Sequence, residues 1–283
     1  MTELWEPFRF EFFRHGVLVA TVAGALCGLV GTFVVLRRMS YIGHGLSHAV
    51  FGGAAASAVV GVNFFVGAGL WGIASALAIG RVARRRIIGS DAAIGVITTA
   101  SFALGLVLFG LYGQARRSTD ALLFGSILGV DELDVAVVVG VTVATGAVVF
   151  ARYRSLLFAT FDPEVADVSG LRVDRIDALL MVVLAVAILA TTKVLGVVLV
   201  AATLVIPATT ARMLTNRFSR MLWLSTGLGA ASGFVGMVAS YHLDISSGAA
   251  VVLVGAAAFA VVFAATGTRG LGRVGAHRAG APL

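Results

Sequence analysis

The chain has 283 residues, 59% of them hydrophobic and only 12% charged, with a formal net charge of +7. Soluble globular chains carry roughly 25% charged residues, so about half the usual solvated surface is missing and a soluble enzyme or nucleic-acid-binding domain is excluded. The apolar residues come in long blocks such as residues 19–36 and 177–192, near the 18 or more that a helix needs to cross a hydrocarbon layer about 30 Å thick.

The expected fold is therefore all-α, a polytopic transmembrane bundle forming one domain over residues 1–283. Thirty-five glycines against four prolines suit helices that pack through small residues, because lipid provides no hydrophobic drive between them. Cys27 is the sole cysteine, which leaves no disulfide framework and no cysteine metal knuckle.

In chain order, residues 1–15 read as an amphipathic interfacial segment with Trp5, Phe8, Phe12 and Phe13 toward lipid. Apolar spans follow at 16–36, 42–60, 64–80, 91–112, 133–151, 176–192, 194–211, 221–240 and 246–265. With nine spans, sixteen of the 21 basic residues fall on one side, among them Arg37, Arg38, Arg81, Arg152, Arg172, Arg212 and Arg220. That side is cytoplasmic by the positive-inside rule, which puts the N-terminus outside and the C-terminus inside the cell. Lys193 alone separates two spans, and the LLFGSILGV stretch at 122–130 is too short to cross and reads as re-entrant. Eight spans is the alternative count. No internal repeat stands out, which argues against an inverted-repeat secondary transporter.

Three clusters carry candidate chemistry. His44 and His48 lie four apart in RRMSYIGHGLSHAVFGGAA, one helical turn apart on one face, where two neutral imidazoles can ligate one divalent cation. Each could instead bond a neighbouring carbonyl or hydroxyl, but ionisable groups inside a span are rare and usually functional. The pair lacks the glutamate of a zinc-protease motif. Asp131 and Asp134 in VDELD, and His242 and Asp244 in SYHLDISSG, fall on the outer side. They are either solvated loop charges or a cation entrance. The third cluster lies in the cytoplasmic loop 152–175: Asp162 and Pro163 open a short helix, Glu164, Val165 and Ala166 follow, and Gly170 ends it. A capped helix of two turns or fewer has no role in spanning a bilayer, which leaves a docking element or a surface turn. With a single lysine, in LATTKVLG, the chain has no Walker A loop, so energy for uphill transport must come from another subunit.

RRMSYIGHGLSHAVFGG after the first span, LFGSILGV, FDPEVADVSGLRV and GVVLVAATLVIPATTARML occur in this order. Together they resemble the permease subunits of bacterial ABC importers for zinc, manganese or iron, over residues 12–267. The resemblance implies no catalytic residue and no permanently bound cofactor. It implies a plasma-membrane location and a cytoplasmic ATP-binding subunit that grips the loop at Glu164-Val165-Ala166 and Gly170, as the family's EAA-xxx-G motif does. It further implies an extracytoplasmic metal-binding protein and a second permease chain, identical or paralogous. His44 and His48 match the two positions on the family's metal path, the first of which is usually Asp. A His/His pair is softer than Asp/His and suits zinc or iron at least as well as manganese. Other readings are a permease for a metal chelate or vitamin, a cation-coupled secondary transporter, and an intramembrane metalloenzyme.

Overall fold

The computed structural model describes residues 3–84, 90–112, 123, 125 and 130–279. Among these residues every regular element is helical. A 3-10 turn at Glu3–Arg9 leads into α1 (Glu11–Leu36), α2 (Ser40–Val60), α3 (Phe64–Arg84), α4 (Ser90–Tyr112), α5 (Glu132–Ala151), α6 (Tyr153–Phe161) and α7 (Pro163–Val168). Then come α8 (Val173–Leu195), α9 (Val200–Leu214), α10 (Phe218–Leu243) and α11 (Ser247–Ala279). Most of the 122–130 stretch, together with Arg85, Arg86, Arg116 and Arg117, lies outside the described residues. Leu123 is described, and its carbonyl accepts from the Val198 amide at 3.2 Å.

Among the described residues seven helices are long and apolar enough to cross a membrane: α1, α3, α4, α5, α8, α10 and α11. The two other expected spans, 42–60 and 194–211, are helices α2 and α9. α9 has only 15 residues, and α2 is rich in Gly, Ser and His. Both sit among other helices, α2 against α3, α4, α8 and α9, and α9 against α1, α2, α10 and α11. A helix surrounded by protein needs less apolar surface than one facing lipid. The core of the bundle is α1 and α8, buried over 78% and 72% of their most apolar windows, whereas α5 and α11 are buried over only 22%.

Two boundaries differ from the sequence expectation. α1 begins at Glu11, so residues 11–15 belong to it rather than to an interfacial segment. Phe13 is fully buried and meets Phe8 and Tyr241 edge-on, with centroids 5.2 and 5.0 Å away. It faces α10 and not lipid, while the neighbouring Phe12 stays exposed. Lys193 does not divide two spans either. α8 runs through it to Leu195, and the break falls at residues 196–199, where Gly196 takes φ +80°. Within the break Gly196 and Val197 are buried, whereas Val198 is 40% exposed.

The two ends of the bundle are distinct. A cleft of about 420 Å³ is lined by Arg37 and Arg38 after α1, Arg81 of α3, Thr160 of α6, Pro163 of α7 and Asp177 of α8. One end therefore gathers arginines around the short α7. At the other end Lys193 of α8 meets Asp134 of α5 and the rings of Phe64 and Phe65 of α3.

Candidate metal pathway and coupling surface

The glycines of α2 fix which face of it remains free. A Cβ on Gly45 would lie 2.5 Å from Ile94 Cγ2, and one on Gly52 2.3 Å from the Ser101 carbonyl, both on α4. On Gly53 it would lie 2.6 Å from Trp71 of α3, and on Gly43 3.1 Å from Leu204 of α9. Three neighbours thus press on α2 and set its rotation. The face left over carries Tyr41, His44 and His48, spaced by three and four residues. Tyr41 is exposed and both histidines are half-buried, so this face opens at the side of the chain.

The two imidazoles meet there. Nε2 of His48 lies 3.1 Å from Nε2 of His44. The rings stand 89° apart with centroids at 4.4 Å. Phe102 of α4 closes on His48 at 4.4 Å, and Phe51 and Phe109 extend that aromatic wall. Two nitrogens on one ion at about 2.0–2.1 Å stand about 2.9 Å apart in cis-octahedral geometry and about 3.4 Å apart in tetrahedral geometry. The observed separation falls between these two values. Nδ1 of His48 is buried without a partner, whereas a resident metal's histidine donates its second N–H to an orienting acceptor. Among the described residues no group of three or more His, Cys, Asp or Glu could hold a metal ion.

The outer candidates separate into bound and free. Asp134 is 1% exposed and pairs with Lys193 Nζ at 2.6 Å, so it is not the solvated loop carboxylate that its surroundings in the sequence suggest. It also forms a capping box with Asp131, whose Oδ1 accepts from the Asp134 amide at 2.8 Å. That amide holds the Asp131 carboxyl below its ordinary range, helped by the positive Lys193. His242 is exposed and bonds the Val238 carbonyl of its own helix at 2.9 Å. Asp244 ends α10 with φ +50° and is exposed.

α7 explains the spacing of its own sequence. Asp162 Oδ1 accepts from the Val165 amide at 3.0 Å, and Pro163 occupies the first turn, where its missing N–H costs nothing. At the other end the Leu171 amide reaches the Ala166 carbonyl at 3.0 Å, and the Gly170 amide reaches Asp167 at 2.9 Å. That is a Schellman closure, with glycine at the left-handed position (φ +84°) four residues after the alanine. Ala166 points inward and is fully buried, while Phe158, Phe161, Val165 and Val168 are exposed, Val168 at 91%. The exposed apolar residues are thus shared between the end of α6 and the short α7.

The profile of the ABC 3 transport family matches residues 9–266. The chain belongs to the ABC 3 transport family. In this family's transporters the permease spans the membrane and ATP is hydrolysed on a separate chain, so the protein is a multi-pass membrane subunit and not itself an enzyme. The manganese transport system membrane protein MntC of Listeria monocytogenes is 37% identical over 265 residues, covering 93% of this chain and 94% of that protein. A protein of Haemophilus influenzae named "Probable iron transport system membrane protein" is 33% identical over 261 residues, covering 92% and 96%. The solved structure of PsaBC from Streptococcus pneumoniae in complex with Fab superposes with a TM-score of 0.83 at 34% identity, covering 93% of this chain and 95% of that one.

Two ion pairs escaped the sequence reading. Arg37 bonds Thr160 and pairs with Asp177, and Lys193 pairs with Asp134. Lys193 had a visible signal, since a lone lysine flanked by apolar residues calls for a buried partner.

Proposed function

We propose that this ABC 3 permease carries a divalent transition metal into the cell through a path on which His44 and His48 make transient contact. The observation that carries it is the 3.1 Å approach of the two Nε2 atoms on the one face of α2 that its neighbours leave open. The relatives named for manganese and iron support that class of cargo. Zinc is a third candidate on the softness of the imidazole pair. Because the histidine face lies at the side of one chain, the path is completed by a second permease chain, identical or paralogous, facing it. In this reading α2 and α9 also cross, giving nine spans. The arginine-bearing end is cytoplasmic, the N-terminus is outside, and α7 with Asp162, Pro163, Glu164, Ala166 and Gly170 docks the ATPase. An extracytoplasmic metal-binding protein delivers the ion at the other end, where exposed Asp131, His242 and Asp244 attract cations toward the mouth and Asp134 acts only through Asp131 and Lys193.

The test is a chain carrying both His44→Ala and His48→Ala. It inserts and retains its ATPase, and uptake of radiolabelled manganese, iron and zinc into cells falls to background. Undiminished uptake would remove the pair from the path.

A further inference from the structure

α1 and α2 meet at an elbow that is closed twice by backbone bonds. The Met39 amide reaches the Val34 carbonyl at 3.0 Å and the Arg38 amide reaches Val35 at 3.1 Å, which makes Arg37–Met39 a second Schellman turn. α2 starts at the next residue, and His44 follows Met39 after five, a rise of about 7 Å along the axis. Whatever moves the elbow therefore moves the histidine pair.

One side chain holds that elbow from outside. Arg37 Nε donates to Thr160 Oγ1 at 3.2 Å, and its Nη1 forms an ion pair with Asp177. Thr160 is in the last turn of α6, two residues before the Asp162 cap of α7, and Asp177 is in the second turn of α8, which follows α7. A single guanidinium thus grips the helices on both sides of the coupling helix and the start of the metal-bearing one. The Arg37 side chain is only 11% exposed and its Nη2 is buried without a partner, beside the arginine-lined cleft. A rigid planar fork can exchange partners in that space. Stability alone does not account for the arrangement, because a half-buried ion pair is often no better than apolar residues of equal volume.

We propose that the Arg37–Thr160–Asp177 joint transmits displacement of α7 to α2, so that nucleotide-driven movement below alters the His44–His48 site above. The inference rests on the reading of α7 as the ATPase dock and of the histidine pair as the metal contact. Arg37 is then a positioning residue: it touches no ion, and it ties the α1–α2 elbow to Thr160 and Asp177, 123 and 140 residues away in sequence. α8 is the second arm of the link, fastened at its far end by Lys193 to Asp134.

The experiment uses the full complex of this permease with its ATPase and its metal-binding protein in liposomes, and it reads metal ions transported per ATP hydrolysed. In Arg37→Gln and in Asp177→Asn, hydrolysis stays near the wild-type rate while ions per ATP fall by about tenfold, within the usual range of coupling factors. Exchanging the charges, Arg37→Asp with Asp177→Arg, recovers more coupling than either single change retains. Thr160→Val keeps the volume and removes one bond, so it lowers the ratio by a smaller factor in a fully folded protein. Hydrolysis and transport falling in parallel, or an unchanged ratio in Arg37→Gln and Thr160→Val, would overturn the link. A wild-type complex that moves no metal would instead fail the functional reading, before any variant is compared.

Discussion

Arg38 occupies a backbone position that arginine does not favour. Its φ of +56° lies in the left-handed region, which costs a residue with a Cβ about 1–2 kcal/mol and which glycine fills at the same position of α7. Arg38→Gly should therefore raise the unfolding free energy of the detergent-solubilised protein by about 0.5–1 kcal/mol, glycine's own unfolded-state entropy offsetting the rest. A higher unfolding temperature checks it, and a lower one would mean that the arginine contributes contacts worth more than its strain. A strained residue kept at the rim of an arginine-lined cleft points to a use for its charge. At this scale the histidine pair was legible because four residues along a helix place two rings on one face whatever the surroundings. The joint at Arg37 was not, because Thr160 and Asp177 lie far off in sequence and no local pattern marks them.

At the scale of elements, the caps of α7 were readable and the α8–α9 break was not. Asp162, Pro163 and Gly170 announce α7 by local backbone chemistry alone, and the structure forms it as expected. The α8–α9 break escaped because Lys193 looked like a loop residue, whereas the pairing that lets it sit in a helix comes from Asp134 on α5. That pairing yields a prediction. Lys193→Met leaves a buried carboxylate without its counter-charge, and removing one member of a buried pair costs about 3 kcal/mol or more. Adding Asp134→Asn removes the orphaned charge yet keeps an oxygen for the Asp131 amide, so the double variant should unfold at a higher temperature than Lys193→Met alone. Asp131 sets the acid limit of the same corner. Its folded value is depressed, so its contribution is complete above the ordinary value of 3.8 and is lost as pH falls below it. The cap of α5 should persist at pH 5 and fail only in stronger acid, as amide exchange at residues 132–135 would report.

For the molecule as a whole, the sequence showed that the chain is a membrane bundle but not which helices form its centre, because lipid-facing and protein-facing helices are about equally apolar. The distinction lies in the small residues. Ala20, Gly24 and Gly28 on α1 meet Ser225, Gly229 and Gly233 on α10, each series spaced by four, and Ser225 Oγ donates to the Gly28 carbonyl at 2.6 Å. A Cβ on Gly229 would lie 2.1 Å from the Gly24 carbonyl oxygen, and one on Gly24 would lie 2.2 Å from that of Gly229. The two backbones are in contact, as small-residue seams in lipid allow, and nothing flexible can give way. Gly227, one half-turn along the same helix, faces open space. Two substitutions on α10 should then have opposite signs. Gly227→Ala gains helix propensity, about 0.5–1 kcal/mol, and should raise the unfolding temperature slightly. Gly229→Val must part α1 from α10 and should cost at least about 3 kcal/mol, the upper part of the range for overpacking, giving loss of monodisperse protein in detergent. If the two variants unfold at the same temperature, the α1–α10 contact is not the seam that holds the bundle together, and the rotation of α1 that delivers Arg37 to Thr160 and Asp177 would need another cause.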